Sequence, residues 1–173
     1  MDTAALKKIA FEKLASNLDE ILKQYRYLLD LVRKEKEFLL ATDMDKLNEN
    51  NLQKEIIISK IKSLDASRLN YAIDLAHMIQ ADAAQPRLLE LAQKLGGVEA
   101  EKLRNMQTAL EMVIKRVSDI NKSNDHLTQT ALRTVTHALD SMKEQVVGQK
   151  TYQHSGKYKQ ANDQSGFFVK KEA

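Results

Sequence analysis

Few side chains in this sequence are suited to chemistry. The four imidazoles are His77, His126, His137 and His154, and no two stand four residues apart with a carboxylate in a metal-binding pattern. His137 and Asp140 are three apart, the spacing of an ordinary solvated pair on a helix. His77 and His126 are read as exposed helical positions. Cysteine is absent, which excludes a disulfide framework, a thiolate metal site and a cysteine nucleophile. There is no glycine-rich phosphate loop and no nucleophile elbow. The reading therefore assigns no catalytic, cofactor-binding or metal-binding residue, and an enzyme is not expected.

The polar residues that matter more are those that interrupt apolar seams. The first helix is read as Thr3 to Ala41, with Thr3 as a possible N-cap. Its seam runs Phe11, Leu14, Leu18, Ile21, Tyr25, Leu28, Val32, Glu35, Leu39, at alternating spacings of three and four. Only Glu35 is charged. Thr42-Asp43-Met44-Asp45 reads as a tight turn, with Asp43 or Asp45 capping a second helix that ends near Gln80. The second seam is Asn50, Lys54, Ile57, Ile61, Leu64, Arg68, Tyr71, Leu75, Met78. So short a connection packs two helices antiparallel. A turn centred near residue 44 sets Glu35 beside Lys54. Either the two form a structural ion pair that fixes register, or both side chains snorkel to water.

Pro86 suits the first turn of a short helix ending at Leu95, before Gly96-Gly97. A last helix is expected from Val98 to about Gly148. Its apolar residues fall into two registers. Leu103, Met106, Leu110, Val113, Val117, Ile120, Asn124 and Leu127 form the first. Thr128, Leu132, Val135, Leu139, Met142 and Val146 form the second, shifted by one residue. One residue rotates a helical stripe by about 100°. The first half is therefore expected to face this chain, and the second a partner. Asn121 and Asn124 lie near the shift, and an Asn in a helical seam specifies pairing. By these boundaries the last helix overshoots the hairpin by roughly a dozen residues, nearly 20 Å.

Composition fits this all-α reading. Aromatic residues make up 5% of the 173, Trp is absent and Pro86 is the one proline. No apolar run reaches the length of a membrane span or of a signal peptide's hydrophobic segment. Residues 149–173 carry five Lys against Asp163 and Glu172. The other 148 residues hold 22 basic and 22 acidic side chains, so the excess of +3 belongs to the tail. A neutral body is a poor phosphate binder, which argues against a nucleic-acid partner. The tail has no helical or strand period and is expected to be flexible. It nevertheless holds four of the nine aromatics, Tyr152, Tyr158, Phe167 and Phe168. These either anchor a partner or fold back on the bundle.

The expected architecture is an elongated antiparallel bundle of three long, coiled-coil-like helices plus one short helix, over residues 1–148. A flexible tail follows over 149–173. This order of elements resembles the FlgN-like family of flagellar type III export chaperones. The matching stretches are "EKEFLLATDMDKL", with Glu35 and the Asp43-to-Leu47 break, followed by Lys54. "DINKSNDHLTQTAL" (Asp119 to Leu132) is similar to the start of the family's substrate-binding helix. "TYQHSGK" (Thr151 to Lys157) is similar to its tail motif. The resemblance implies a cytoplasmic chaperone of the hook-associated proteins FlgK and FlgL. It would bind their C-terminal helices and present them to the cytoplasmic domain of the export gate protein FlhA, using no cofactor and entering no membrane. Client contacts would fall on Leu132, Val135, Leu139, Met142 and Val146, and gate contacts on Tyr152 and Gly156. The alternative is a structural coiled-coil adaptor without client hand-over.

Overall fold

The computed structural model describes residues 3–147, with side chains from 4 to 144. All four regular elements are helices: α1 (Thr3–Ala41), α2 (Met44–Ile79), α3 (Leu88–Leu95) and α4 (Gly97–Val147). The described residues contain no strand. Contacts divide the chain into a first unit, residues 1–125, and a second beginning at His126.

In the first unit, α1 and α2 form an antiparallel hairpin. Their connection is two residues long because its chemistry is local. Thr42 takes a left-handed backbone, φ 56°, and Asp43 accepts the Lys46 backbone N–H at 3.1 Å as the N-cap of α2. The Lys46 ammonium also lies 2.8 Å from the Asp43 carboxylate. That side-chain contact first, and the cap bond second, hold the Asp43 carboxyl below its ordinary range. At the other end Gln80 closes α2 in the left-handed conformation, its N–H donating to the Ala76 carbonyl.

The loop into α3 departs from the sequence reading. Pro86 does not open the helix. Asp82 Oδ1 accepts the N–H groups of Ala84 at 2.8 Å and Gln85 at 3.4 Å, a local turn that organises this loop. Arg87 is extended (φ −89°, ψ 132°), so α3 can begin only at Leu88. Pro86 is buried just ahead of it. Gly96 ends α3 at φ 69° and Gly97 starts α4 at φ 60°. No neighbouring atom would meet a Cβ at either glycine, so the backbone conformation alone demands them.

Lys102 of α4 lies over the Phe11 ring of α1, 5.8 Å from its centroid, and Asn124 reaches Val32. Both partners ascend together, so this part of α4 runs parallel to α1. The core holds Leu14, Leu18, Val32, Leu75, Leu91 and Leu103, each less than 2% exposed. Burial of a side chain of this size contributes about 1.5–3 kcal/mol. α1 is buried beyond its single heptad seam: Ala15, Leu22, Leu29 and Leu31 are covered too. α1 has both α2 and α4 as neighbours, and one seam serves only one of them. In α2 the seam fails at its last position, since Met78 is exposed while Ala72 and Ala76 beside it are buried.

The second unit is described from His126 to Val147 as the continuing turns of α4. Its threonine hydroxyls donate back along the helix: Thr130 to the His126 carbonyl at 2.9 Å, Thr134 to Thr130 at 3.1 Å and Thr136 to Leu132 at 2.9 Å. Such bonds satisfy the hydroxyls without a neighbouring helix.

Candidate functional site

Two features of α4 carry the site, one in each unit. The first is a polar node within the first unit. The Glu35 carboxylate projects from α1 between α2 and α4. Its Oε1 accepts from the Lys54 ammonium of α2. Its Oε2 accepts from the Asn124 side-chain amide of α4 at 3.0 Å. The same Asn124 Nδ2 donates to the Val32 carbonyl at 2.8 Å. The Lys54 and Glu35 side chains are only 15% and 13% exposed, and Asn124 is 3% exposed. A carboxylate so placed is costly unless both oxygens are engaged. Here each oxygen has its own donor, one charged and one neutral, from a different helix. Sliding either α2 or α4 by one residue would unpair the node, so it fixes register across three helices.

Glu35, Lys54 and Asn124 each stand out in the sequence as polar members of apolar seams. The sequence reading sets Glu35 beside Lys54, and the two do meet; what it missed is that Asn124 joins them. Carrying α4 parallel to α1 from its start opposite Phe11 would have set Asn124 near Val32 and Glu35. Arg68, the third charged seam residue, does something different. Its Nε donates to Asp65 on its own helix at 2.6 Å, and its side chain remains 25% exposed. Nearby, burial first and the Asp65 carboxylate second push the Tyr25 hydroxyl pKa upward.

The second feature is the apolar stripe of the second unit. Every described residue from 128 to 144 is exposed. Leu132 is 66% exposed, Val135 56%, Leu139 52% and Met142 63%. Their three-four spacing places them on one side of the helix, as in the seam of a coiled coil. On the first register, by contrast, Leu103, Met106, Leu110 and Val113 are buried, and Val117, Ile120 and Leu127 are partly so. A solvent-facing row of large apolar residues on a helix marks an interaction surface. Of the remaining candidate residues, the Val146 side chain, Tyr152 and Gly156 lie outside the described residues. His77, His126 and His137 are exposed. No group of three or more His, Cys, Asp or Glu among the described residues could hold a metal ion. No helix among them is long and apolar enough to cross a membrane.

The geometry is thus that of a helical protein with a locked proximal bundle and an apolar face presented to solvent. Comparison with known proteins agrees with it. The family model described as FlgN protein matches residues 1–160, spanning all four helices. Neither the curated proteins nor the solved structures compared with the chain gave a match. The chain belongs to the FlgN family, and so to the flagellar export chaperones.

Proposed function

We propose that this chaperone binds the C-terminal helical ends of the junction proteins FlgK and FlgL on the distal face of α4 and delivers them to the cytoplasmic domain of FlhA. The observation that carries the reading is the exposed row of Leu132, Val135, Leu139 and Met142, with Val146 continuing it in sequence. An amphipathic client helix laid on this row would bury its own apolar face there, each covered side chain contributing about 1.5–3 kcal/mol. Met142, unbranched and polarizable, would adapt to more than one client. The polar node serves this function indirectly by fixing the proximal part of the same helix.

In this reading residues 1–148 form the helical body and 149–173 a tail that carries the gate contact. Tyr152 supplies a large ring with a polar rim, and Gly156 lets the chain turn beside it. Lys150 and Lys157 flank the ring in sequence and favour an acidic groove on the gate protein, chiefly through the association rate. The whole cycle belongs in the cytoplasm, where clients await export.

Two variants test the two halves separately. Leu139→Asp with Met142→Asp should abolish capture of a FlgK C-terminal segment while circular dichroism and thermal unfolding stay those of the parent. Unchanged capture would refute the client face. Tyr152→Ala should keep client capture and lose binding to the FlhA cytoplasmic domain. If gate binding persists in that variant, the gate contact lies elsewhere.

A further inference from the structure

In the first unit, burial beside a helix's seam follows the number of helices packed on it. α1 has two long neighbours, and both flanks of its seam are covered. Ala10, Asn17, Gln24 and Leu31 each precede a seam residue and are buried; Asn17 shares a groove with Leu64 and Tyr71 of α2. Ala15, Leu22 and Leu29 each follow a seam residue and are buried; Leu22 shares a groove with Val98 and Met106 of α4. α2 shows the same relation along a single column. Ile58, Asp65 and Ala72 stand seven residues apart, each just after a seam residue. Ile58 is 40% exposed and Asp65 is exposed, whereas Ala72 is fully buried, as is Ala76 beside it. The buried end is where α3 packs on α2. Leu88 of α3 shares a cleft with Asp65 and Arg68, and Glu90 of α3 accepts the Asp82 N–H just past the end of α2. An added helix thus covers an added column, and on α2 that column is alanine.

The distal face of α4 carries such a column on one flank. Ala131 and Ala138, seven residues apart, each stand one residue before a leucine of the exposed row, Leu132 and Leu139. On the other flank stand Gln129, Thr136 and Lys143. All of these are exposed. A strict three-four row is the seam for one partner helix. A further apolar column on one side broadens the face to that of a helix lining the core of a bundle. Alanine suits the added column because small residues facing large ones let helices interdigitate closely.

We propose that the client lies on distal α4 as two helices of one chain. One helix packs on the row of Leu132, Val135, Leu139 and Met142, and the other on the flank of Ala131 and Ala138. This rests on the client reading above and adds the number and placement of the client's helices. A lone client helix on the row would leave the alanine flank open to water. A second helix closes that flank and covers apolar surface of the first. The face from 128 to 146 is on the order of 27 Å long, so each helix holds roughly eighteen residues. A short connection makes the two antiparallel to each other.

Amide hydrogen exchange of the client tests it, with the full chain and a FlgK C-terminal segment of about fifty residues, long enough for both helices. The segment should gain protection in two runs of roughly eighteen residues each, separated by an exchanging connection. A single protected run of that length would overturn the inference. Two neutral variants of the chaperone test the placement by titration with the same segment. Ala131→Gln with Ala138→Gln should raise the dissociation constant about tenfold or more, because two long side chains then stand where the second helix packs. Thr136→Gln, on the opposite flank, should change it by no more than about twofold. A lone helix in the row would meet both flanks alike, so equal effects of the two variants would also overturn the inference. Either result, with capture still abolished by Leu139→Asp with Met142→Asp, leaves the client reading intact. Capture that survives that last pair removes the client reading and this inference with it.

Discussion

The two halves of α4 are built from the same kinds of residue and have opposite fates. In the first, Leu103 is fully buried and Leu110 is 8% exposed; in the second, Leu132 and Leu139 are 66% and 52% exposed. Both halves repeat apolar residues at three-four spacing, so neither composition nor periodicity separates them. Between Leu127 and Thr128 the register shifts by one residue, which rotates the stripe by about 100°, and from residue 128 to 144 every described residue is exposed, those in the old register included. The last residue of the old register before Leu127 is the Asn locked into the Glu35 node. The lesson is that a long amphipathic helix can serve two surfaces if its phase slips once. A polar lock at the slip holds the first surface in place.

The sharpest way to break this comparison is to put the same charge in each half. Leu103→Asp should cost at least about 4–5 kcal/mol, because a carboxylate enters a site with no partner. Leu139→Asp should change stability by no more than about 0.5 kcal/mol, as an exposed substitution does. Urea unfolding of both variants reads the difference directly. Similar losses in the two would mean that the distal stripe is covered.

Next in size is the node. Glu35→Ala should cost about 3 kcal/mol, since it leaves the Lys54 ammonium largely buried without its anion. Replacing both partners together, Glu35→Leu with Lys54→Leu, should recover most of that loss, because no buried charge then lacks a partner. Failure of the double variant to recover would mean that packing, not charge, sets the cost. Asn124→Ala should cost about 1–3 kcal/mol by removing the donor to the Glu35 and Val32 oxygens. Thermal unfolding followed by circular dichroism measures all three.

Much of this architecture could be read from the residues alone. The bounds of α1, Thr3 and Ala41, are legible because Thr3 is a capping residue type and charged and apolar residues keep one period until Thr42-Asp43 competes for backbone bonds. The Gly96-Gly97 break was legible because left-handed φ values at a helix junction favour glycine. Pro86 misled because its suitability for a first helical turn is only a propensity, and the Asp82 side-chain turn with an extended Arg87 took precedence. The wide burial of α1, reaching Asn17, Gln24 and Leu31, was invisible because a single heptad seam describes one neighbour and α1 has two. Arg68 was legible as a seam residue, but not its choice of Asp65 over a cross-helix partner. In the sequence the node shows only as an ion pair on one side and an isolated Asn on the other, because joining them requires knowing how far along α1 the helix α4 begins.

The smallest expected effect concerns the hairpin turn. Asp43 has its carboxyl held below the ordinary value of 3.8, first by the Lys46 ammonium and then by the capped N–H. A carboxyl whose folded pKa is depressed stabilises the fold above its unfolded pKa. That contribution fades as pH falls below the ordinary value and is gone once pH passes below the depressed one. Asp43→Asn keeps a capping oxygen and removes the charge. The variant should therefore lose slightly less stability than the parent between neutral and acidic pH, in paired melts at low salt. Parallel pH curves would show that the turn contributes nothing through this charge.

The central claim is that the distal half of α4, and not the proximal bundle, receives the client. Amide hydrogen exchange of the full chain, read by mass spectrometry with and without a FlgK C-terminal segment, addresses it most directly. The chain should be dilute enough to sediment as a monomer. The account predicts new protection concentrated in peptides covering residues 128–146, with exchange across residues 100–125 and the α1–α2 hairpin little changed. Protection confined to the hairpin or to residues 100–125, with 128–146 exchanging as in the free chain, would contradict it.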